Sequence, residues 1–450
     1  MAKYTGEQLR KMDAASLWHP YTKHSSMTEA SFPIIERGEG LYLYDIEGNR
    51  FLDGISSWWC CNLGHSHPEL VDSIKRQAAV LQHSILGNLT HPYAIELAAR
   101  LVNLFPTSDR RVLFAGDGAS AVEAALKVAV QYWYAVGKPE RSKFVSLVND
   151  YHGDTLGAVS VGFVESFHKQ FAGVVSPSFQ AESPCCKACG WGKTEETCNL
   201  ECFASMQSIF NAHAEELAAV IVEPLCQGAS GMRIYTSKYL AALGNLCREH
   251  DVLLISDEIA MGYGRTGKMF AFEHAGIDPD IVCCGKGMSG GYLPISATVV
   301  KKRVYDAFTD YPEDNTFYHG HTFAGNPIAS AVGVTVLDIY ERESIVAQAQ
   351  EKGAVLAREM ARFAALDCVD NVRCLGMIAA VELHEQSLQP NYAGRTHPEA
   401  IKRELLANSI LVRPLGRVVY IMPPLIIPEN LLCETVRCLY DAIKKTAENQ

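Results

Sequence analysis

Between about residue 110 and residue 300, short apolar runs alternate with segments of helical periodicity. Within each run, hydrophobic side chains are continuous rather than alternating with polar ones. Strands that are covered on both faces show this pattern, and helices between them favour a largely parallel α/β sheet. Six such runs occur: RVLFAG, FVSLVND, LAAVIVEP, VLLISDEI, DIVCCG and ISATVV.

The segment after FAGDGAS shows the helical periodicity most clearly. Its polar residues Glu123, Lys127 and Gln131 occupy one face, and an apolar stripe occupies the other. An amphipathic helix that packs on the predicted sheet has this distribution. The apolar stripe consists of Val122, Leu126, Ala129, Val130 and Trp133.

The pattern changes after Asn326. It predicts long helices at about 327–341 and 344–365, strands in VRCLGMIAAVEL and RVVYIMPP, and a last helix at about 430–447. Near the N-terminus, GLYLYDIEGNRFLD is typical of a hairpin. We therefore expect an α/β protein with a large domain over residues 66–328. Residues 1–65 and 329–450 together would form a small α+β domain.

The charge and the apolar runs of the chain limit the kinds of partner that it can bind. The net charge is −11, and the 40 Lys and Arg residues form no basic block, which argues against a nucleic-acid partner. The N-terminus lacks the apolar segment of a secretory signal, and no apolar run is long enough to span a membrane. We expect a cytoplasmic protein without a membrane partner, whose 15 cysteines are mostly reduced.

Polar residues follow several of the predicted strands. Lys286, Asp257, Glu223 and Tyr151 each come directly after an apolar run, and so do the glycines from Gly116. Each of these alone is compatible with a solvated loop charge, a cap or a tight turn. Ligands of open α/β sheets bind at the carboxyl ends of the strands, however, so these residues are expected to share one site.

Together these groups match the requirements of pyridoxal 5'-phosphate. The cofactor needs an amine for its aldehyde, a carboxylate at its ring nitrogen, a flat partner for its ring and an anion site for its phosphate. Lys286 and Asp257 are the candidates for the amine and the carboxylate, and Tyr151 for the ring partner. The helix start at Gly118 offers free N–H groups to the phosphate.

The segment SDEIAMGYGRTGKMFAFEHAGIDPDIVCCGKGMSGGYLP resembles the class III aminotransferases, a fold-type I family that depends on pyridoxal phosphate. The resemblance extends over nearly the whole chain. It includes LWHPYT, DGISSWWCCNLGHSHPEL, YHGDTLGA, EPLCQGASGMR, HGHTFAGNP and VRPLGRVVYIMPPLII. LWHPYT and the double tryptophan resemble the biotin-pathway subgroup. That resemblance implies ping-pong transfer of an amino group from S-adenosylmethionine to 8-amino-7-oxononanoate.

The resemblance also implies roles for the cofactor-binding residues. Lys286 would attach the cofactor and then move the proton, Asp257 would pair with the ring nitrogen, and Ile259 would pack on the ring. Gly118 and Ala119 would bind the phosphate. Relatives often have Ser at the position of Ala119, so the neighbouring Ser120 is the candidate for a hydroxyl donor.

A second group of residues is implied for the subunit interface and the substrate. Thr322 and His321 would reach the cofactor of the other subunit, which implies a homodimer with active sites at its interface. Arg413 would bind the acceptor's carboxylate. Other residues that would contact the substrate are Tyr21, Trp58, Tyr151, Lys286, Gly320 and Tyr420. For one of the two adjacent tryptophans we expect plain core packing.

Several alternatives stay open from the sequence. Lysine could replace S-adenosylmethionine as the donor, or the protein could be another ω-aminotransferase of this family. A nicotinamide-dependent oxidoreductase is disfavoured because no G-x-G-x-x-G motif follows the first strand. A non-catalytic metal-binding protein would leave the Lys, Asp and Arg residues unexplained. Four residues, Cys186, Cys189, Cys198 and Cys202, have a spacing that a structural zinc site could use, but we expect no metal.

Overall fold

The computed structural model describes residues 4–23, 32–186, 189–194, 196–310, 313–390 and 394–448. The strands are β1 Ile35–Glu39, β2 Tyr42–Asp45, β3 Arg50–Asp53, β4 Arg110–Ala115, β5 Lys143–Leu147, β6 Phe179–Ala181, β7 Leu217–Val222, β8 Cys226–Gln227, β9 Arg233–Ile234, β10 Leu253–Asp257, β11 Ile281–Cys284, β12 Ser296–Lys301, β13 Val369–Leu375, β14 Ile378–Leu383, β15 Ile410–Leu411 and β16 Val418–Ile421. The α-helices are α1 Gly6–Ser16, α2 Pro68–Val80, α3 Pro92–Val102, α4 Gly118–Ala135, α5 Leu156–Val161, α6 Glu165–His168, α7 Ala204–His213, α8 Ser237–Glu249, α9 Lys302–Tyr305, α10 Pro327–Arg342, α11 Ile345–Met360, α12 His397–Ala407 and α13 Glu429–Ala447.

A seven-stranded sheet forms the centre of the molecule, with the strand order β4-β12-β11-β10-β7-β5-β6. β12 is antiparallel to both of its neighbours, and the other strands run parallel to one another. β7, β10 and β11 are buried along their whole length, as their continuous apolar runs predict. The predicted α/β class with a mostly parallel sheet is therefore confirmed.

Helix α4 packs against this sheet through the stripe that its periodicity predicted. Val122, Leu126, Ala129 and Trp133 are buried. The indole N–H of Trp133 donates to the carbonyl of Ala218 in β7 at 2.8 Å. This packing fixes the first turn of α4 at the edge of the sheet where the strands end.

The N-terminal and C-terminal parts of the chain meet in a second sheet. The hairpin β2–β3 continues into β15 through parallel pairing of Ile410 with Leu52, so that residues far apart in sequence share one sheet. A third sheet has the order β13-β14-β16. This pairing agrees with a small domain built from both ends of the chain, while the boundaries at 65 and 328 stay a prediction.

Among the described residues, no helix combines the length and the hydrophobicity that crossing a membrane requires.

Candidate active site

A cavity of about 470 Å³ lies where the strands of the central sheet end. Its walls come from the residues that follow β4, β5, β7, β10 and β11, because parallel strands bring their carboxyl ends to one edge. Six residues predicted from the sequence line it: Gly118, Ala119, Tyr151, Asp257, Ile259 and Lys286. Others in the wall are Trp59, Asp117, His152, Gly153, Asp154, Thr155, Glu223 and Ala260.

Lys286 opens a short 3₁₀ turn, Lys286–Ser289, directly after β11. Its Nζ lies 4.9 Å from the centre of the Trp59 ring, and among the described residues no carboxylate forms an ion pair with it. Burial lowers the pKa of Lys286, while Asp257 and Glu223 oppose that shift. A lowered pKa increases the fraction of neutral amine, which is the nucleophilic form.

Asp257 ends β10 and is almost completely buried. One carboxylate oxygen, Oδ1, accepts from the backbone N–H of Ile259 at 3.1 Å. The other, Oδ2, is 2.7 Å from Nδ1 of His152. The carboxylate is therefore fixed in one orientation, which suits a group that must hold a ring nitrogen.

His152 lies between two buried carboxylates. Its Nε2 is 3.7 Å from Oδ2 of Asp150, which in turn accepts from Nε2 of Gln227 at 2.7 Å through its other oxygen. Burial alone would lower the pKa of His152, but Asp150 and Asp257 together raise it to about 10. An imidazolium at this position places a positive charge beside the Asp257 carboxylate.

The sequence predicts no role for His152, and none for Glu223 beyond its place after a strand. Their function depends on which strands are neighbours, and the order of strands cannot be read from strand ends alone. Glu223 accepts from the backbone N–H groups of Tyr151 at 2.8 Å and Gly228 at 2.9 Å. Glu223 thereby fixes the backbone that carries Tyr151.

The first turn of α4 is the candidate anion site. In the part of the chain that is described, the backbone N–H groups of Gly118 and Ala119 have no protein acceptor. A Cβ atom on Gly118 would lie 2.9 Å from Cγ2 of Ile259, so a larger residue here would displace the Ile259 side chain. The close approach of Ile259 and the free N–H groups together fit a phosphate beside a flat ring.

The Ser120 hydroxyl does not point to the phosphate site, although we expected it to be a donor to the phosphate. Asp117 is the N-cap of α4, and its carboxylate accepts both the backbone N–H and the hydroxyl of Ser120, each at 2.9 Å. The hydroxyl is therefore oriented towards Asp117. An aspartate N-cap is a common way to satisfy the N–H groups of a helix start, and the sequence alone did not reveal it.

Trp58 and Trp59 belong to a left-handed turn, Ser56–Trp59, in which four successive residues have φ between 45° and 74°. Each such residue costs about 1–2 kcal/mol. Hydrogen bonds compensate: the Ser56 hydroxyl donates to the Met422 carbonyl at 2.7 Å. The turn directs Trp59 beneath Lys286 and leaves Trp58 on the surface, 39% exposed. Trp59 is thus the tryptophan in the core.

Tyr420 does not line the cavity, contrary to the expectation of a substrate contact. It lies in β16, its side chain is completely buried, and its hydroxyl accepts from the indole N–H of Trp59 at 3.1 Å. The interior-facing position on a buried strand explains the difference. Tyr420 supports Trp59 from behind.

Arg413, Tyr21 and Trp58 form a cluster outside the cofactor cavity. The Arg413 guanidinium lies 4.5 Å from the centre of the Trp58 ring, and its Nη2 donates to the Tyr21 carbonyl at 3.3 Å. The Tyr21 ring meets the Trp58 ring edge-on at 5.8 Å. The Tyr21 hydroxyl donates to Asp154, which lines the cofactor cavity. The cluster therefore begins where that cavity ends.

Gly320, His321 and Thr322 are exposed, and they do not line the cavity of their own chain. The preceding residues hold the segment against α4: Nζ of Lys127 lies 3.2 Å from Nδ1 of His319. Their assignment to a partner's cofactor stays a prediction.

The cysteine-rich segment lies apart from this site. Cys186, Cys189, Cys198 and Cys202 line a separate cavity of about 320 Å³. All 15 cysteines fall within the described residues, and none forms a disulfide. Within the described chain, no three sulfur atoms lie within 4.8 Å of one another.

Comparison with known proteins agrees with this geometry. The family model "Aminotransferase class-III" matches residues 24–443. The adenosylmethionine-8-amino-7-oxononanoate aminotransferase of Geobacter sulfurreducens is 39% identical, over 99% of this chain and 98% of that one. The enzyme of the same name from Methanocaldococcus jannaschii is 38% identical, over 97% of this chain and 98% of that one.

Solved structures show the same similarity in three dimensions. The crystal structure of the Methanocaldococcus jannaschii enzyme has a TM-score of 0.91 at 37% identity, covering 98% of this chain and 99% of that one. The ω-transaminase of Pseudomonas jessenii in complex with PMP also has a TM-score of 0.91, at 30% identity over 98% of each chain. The sequence, the fold and the arrangement of Lys286 and Asp257 agree, and the chain belongs to the class III aminotransferase family.

Proposed function

We propose that this protein is a pyridoxal phosphate-dependent aminotransferase of biotin biosynthesis. It transfers an amino group from S-adenosylmethionine to 8-amino-7-oxononanoate and gives 7,8-diaminononanoate. One observation carries the proposal: an unpaired lysine and a fixed carboxylate share a cavity with a free helix N-terminus. The names of the relatives supply the substrates.

The residues present fit the cofactor. Lys286 offers an amine without a competing ion pair, Asp257 a carboxylate, and Gly118 and Ala119 two free N–H groups. When bound, pyridoxal phosphate withdraws electrons from the carbon that bears the amino group and stores that group between the two half-reactions.

The chain's own residues position the reactants and move the proton. Lys286 would hold the cofactor through Nζ. Once the substrate amine has displaced Nζ, the freed amine would carry a proton from the substrate carbon to the cofactor. Trp59 covers one side of the Lys286 ammonium group. Asp257, held by His152, would keep the cofactor's ring nitrogen protonated.

The proposed acceptor is a chain that ends in a carboxylate. An apolar route leads from the cofactor cavity to a cation that could bind this carboxylate. Tyr21 and Trp58 flank the route, and Arg413 stands at its far side. Burial and the hydrogen bond to Asp154 raise the pKa of Tyr21 to about 12, so its hydroxyl stays a donor. Both substrates use one cavity in turn, which makes the kinetics ping-pong.

The exposed segment around Thr322 supports a homodimer. Tyr318 and Phe323 next to it are 79% and 67% exposed. Large aromatic side chains concentrated in one exposed segment are typical of an interface. The 15 cysteines of this long chain are compatible with the reducing cytoplasm, which is the location that we propose.

The experiment supplies one donor at a time to the purified holoenzyme and records its absorbance. S-adenosylmethionine is expected to convert the pyridoxal form to the amine form, and 8-amino-7-oxononanoate to reverse the change. Lysine and simple amines should react far more slowly. Conversion by lysine alone would change the donor, and failure to react with 8-amino-7-oxononanoate would refute the proposed acceptor.

A further inference from the structure

A second cavity, of about 650 Å³, adjoins the cluster of Arg413, Tyr21 and Trp58. We call it the basic groove. Of its described lining residues five are Lys or Arg and one is an acid, although the protein as a whole is acidic. Those six residues are Lys23, Arg395, Glu399, Lys402, Arg403 and Arg413.

Lys402 is partly buried on helix α12 and faces this groove. Its Nζ lies 5.0 Å from the centre of the Phe32 ring, and within the described chain no carboxylate forms an ion pair with it. Burial and then Arg413 lower the pKa of Lys402. Glu399 acts in the opposite direction, but its Oε2 accepts from the backbone N–H of Thr396 at 2.9 Å and caps the helix.

Arg413, like Lys402, is a partly buried cation without a carboxylate partner in the described chain. Among the residues described, its one hydrogen bond goes to the backbone carbonyl of Tyr21, and no carboxylate pairs with it. Fully buried guanidinium groups have more partners: Arg373 pairs with Glu382, and Arg265 donates to the Pro423 carbonyl and Asn62 Oδ1 at 2.7 Å each. Two neighbouring cations without a counter-ion repel each other and lose hydration, which is unfavourable unless an anion completes the arrangement.

We propose that Lys402, in the basic groove, adds a second cation to the carboxylate site that the proposed function assigns to Arg413. There Lys402 is a specificity-determining residue that favours acceptors ending in a carboxylate over neutral ones. The groove reaches the cofactor cavity through Tyr21, which lines the groove and whose hydroxyl bonds Asp154 in the cavity wall. The identity of the acceptor rests on the proposed function, whereas the preference for a carboxylate rests on the groove.

The test compares Lys402→Met with Lys402→Arg, which keeps the charge, and with Lys75→Met on the exposed face of α2, which controls for loss of one positive charge. The probes are nonanoate and its uncharged amide, titrated calorimetrically into each holoenzyme. Lys402→Met should lower the affinity for nonanoate about 10-fold, which corresponds to the loss of one charge-assisted hydrogen bond. The affinity for the amide should stay unchanged. Lys402→Arg and Lys75→Met should bind nonanoate as wild type does.

Kinetics give an independent reading. In Lys402→Met, KM for 8-amino-7-oxononanoate should rise by the same factor, while the half-reaction with S-adenosylmethionine keeps its rate. If wild type rejects 8-amino-7-oxononanoate, the proposed acceptor fails, and the nonanoate titration still decides the subsite. Absence of nonanoate binding to wild type, or equal binding by wild type and Lys402→Met, would overturn the subsite.

Discussion

The cofactor cavity and the basic groove differ in how their charged side chains are paired. In the cavity, Asp257 is held by His152, and His152 also faces Asp150. In the groove, Lys402 and Arg413 have no carboxylate partner in the described chain. A network whose members satisfy one another suits a ligand that stays bound, whereas unpaired cations suit one that binds and leaves in each cycle.

The cavity also has the more constrained backbone. Lys286 has φ of 42°, and the turn that carries Trp59 has four residues of positive φ. Strain of this kind persists only where the surrounding contacts fix it, and it gathers at positions that chemistry requires. Changes in the cavity should therefore reduce kcat, and changes in the groove should raise KM.

The largest effect is expected from Lys286→Ala. The variant loses both the attachment point and the proton carrier, so kcat should fall by about 10⁴-fold or more. Borohydride reduction followed by peptide mass spectrometry should label Lys286 in wild type and no peptide in the variant. Activity within tenfold of wild type would contradict the role of this lysine.

Asp257→Asn should be next in size. The amide keeps the volume of the carboxylate but removes the charge that holds the ring nitrogen protonated, so kcat should fall by about 10²- to 10³-fold. The substrates' KM values should change little, because both bind away from Asp257. A change confined to KM would place Asp257 outside the chemistry. Circular dichroism checks that the fold is retained.

Features that depend on one local sequence pattern could be predicted from the sequence. The continuous apolar runs located the central strands, and the residues after them located Lys286, Asp257 and Gly118. These inferences needed only the rule that strand ends share an edge. The antiparallel direction of β12 was not predicted, because its apolar run resembles those of its parallel neighbours.

The sequence did not predict the contacts between residues that are distant along the chain. Tyr420 resembles a substrate contact in its motif, but its strand turns it into the core behind Trp59. The partner of His152 depends on the order of strands, and the packing of α12 brings Lys402 into the groove that Arg413 also lines. No local pattern encodes any of these contacts.

Arg413→Met tests the groove side of the comparison. Loss of the guanidinium should raise KM for the carboxylate acceptor by about 10- to 100-fold, the range of one or two charge-assisted hydrogen bonds. The donor half-reaction and kcat should stay within a few fold of wild type. Arg413→Lys should recover only part of the loss, since an ammonium cannot form the bidentate pair. An unchanged KM would remove Arg413 from the acceptor site.

Asp150→Asn tests the cavity network without touching the cofactor. His152 must be protonated to support Asp257, so wild-type activity should be present below its pKa of about 10 and decline above it. Without Asp150 one of two carboxylates is lost, the pKa of His152 falls, and the alkaline decline should move to lower pH. At pH 7 the loss in kcat should stay below about tenfold. A pH–rate profile that coincides with wild type would show that Asp150 does not act through His152.

The smallest effect is expected from Ala119→Ser, which alters the anion site at the edge of the cavity. The first turn of α4 offers backbone N–H groups but no free hydroxyl, because Asp117 holds that of Ser120. A serine at position 119 adds one donor, and pyridoxal phosphate should bind the apoprotein about 2- to 10-fold more tightly. Ser120→Ala is the matched control, and it should leave this affinity within about twofold, since its hydroxyl points to the N-cap rather than the phosphate. A large loss in Ser120→Ala would instead mean that Asp117 releases the hydroxyl when the phosphate binds.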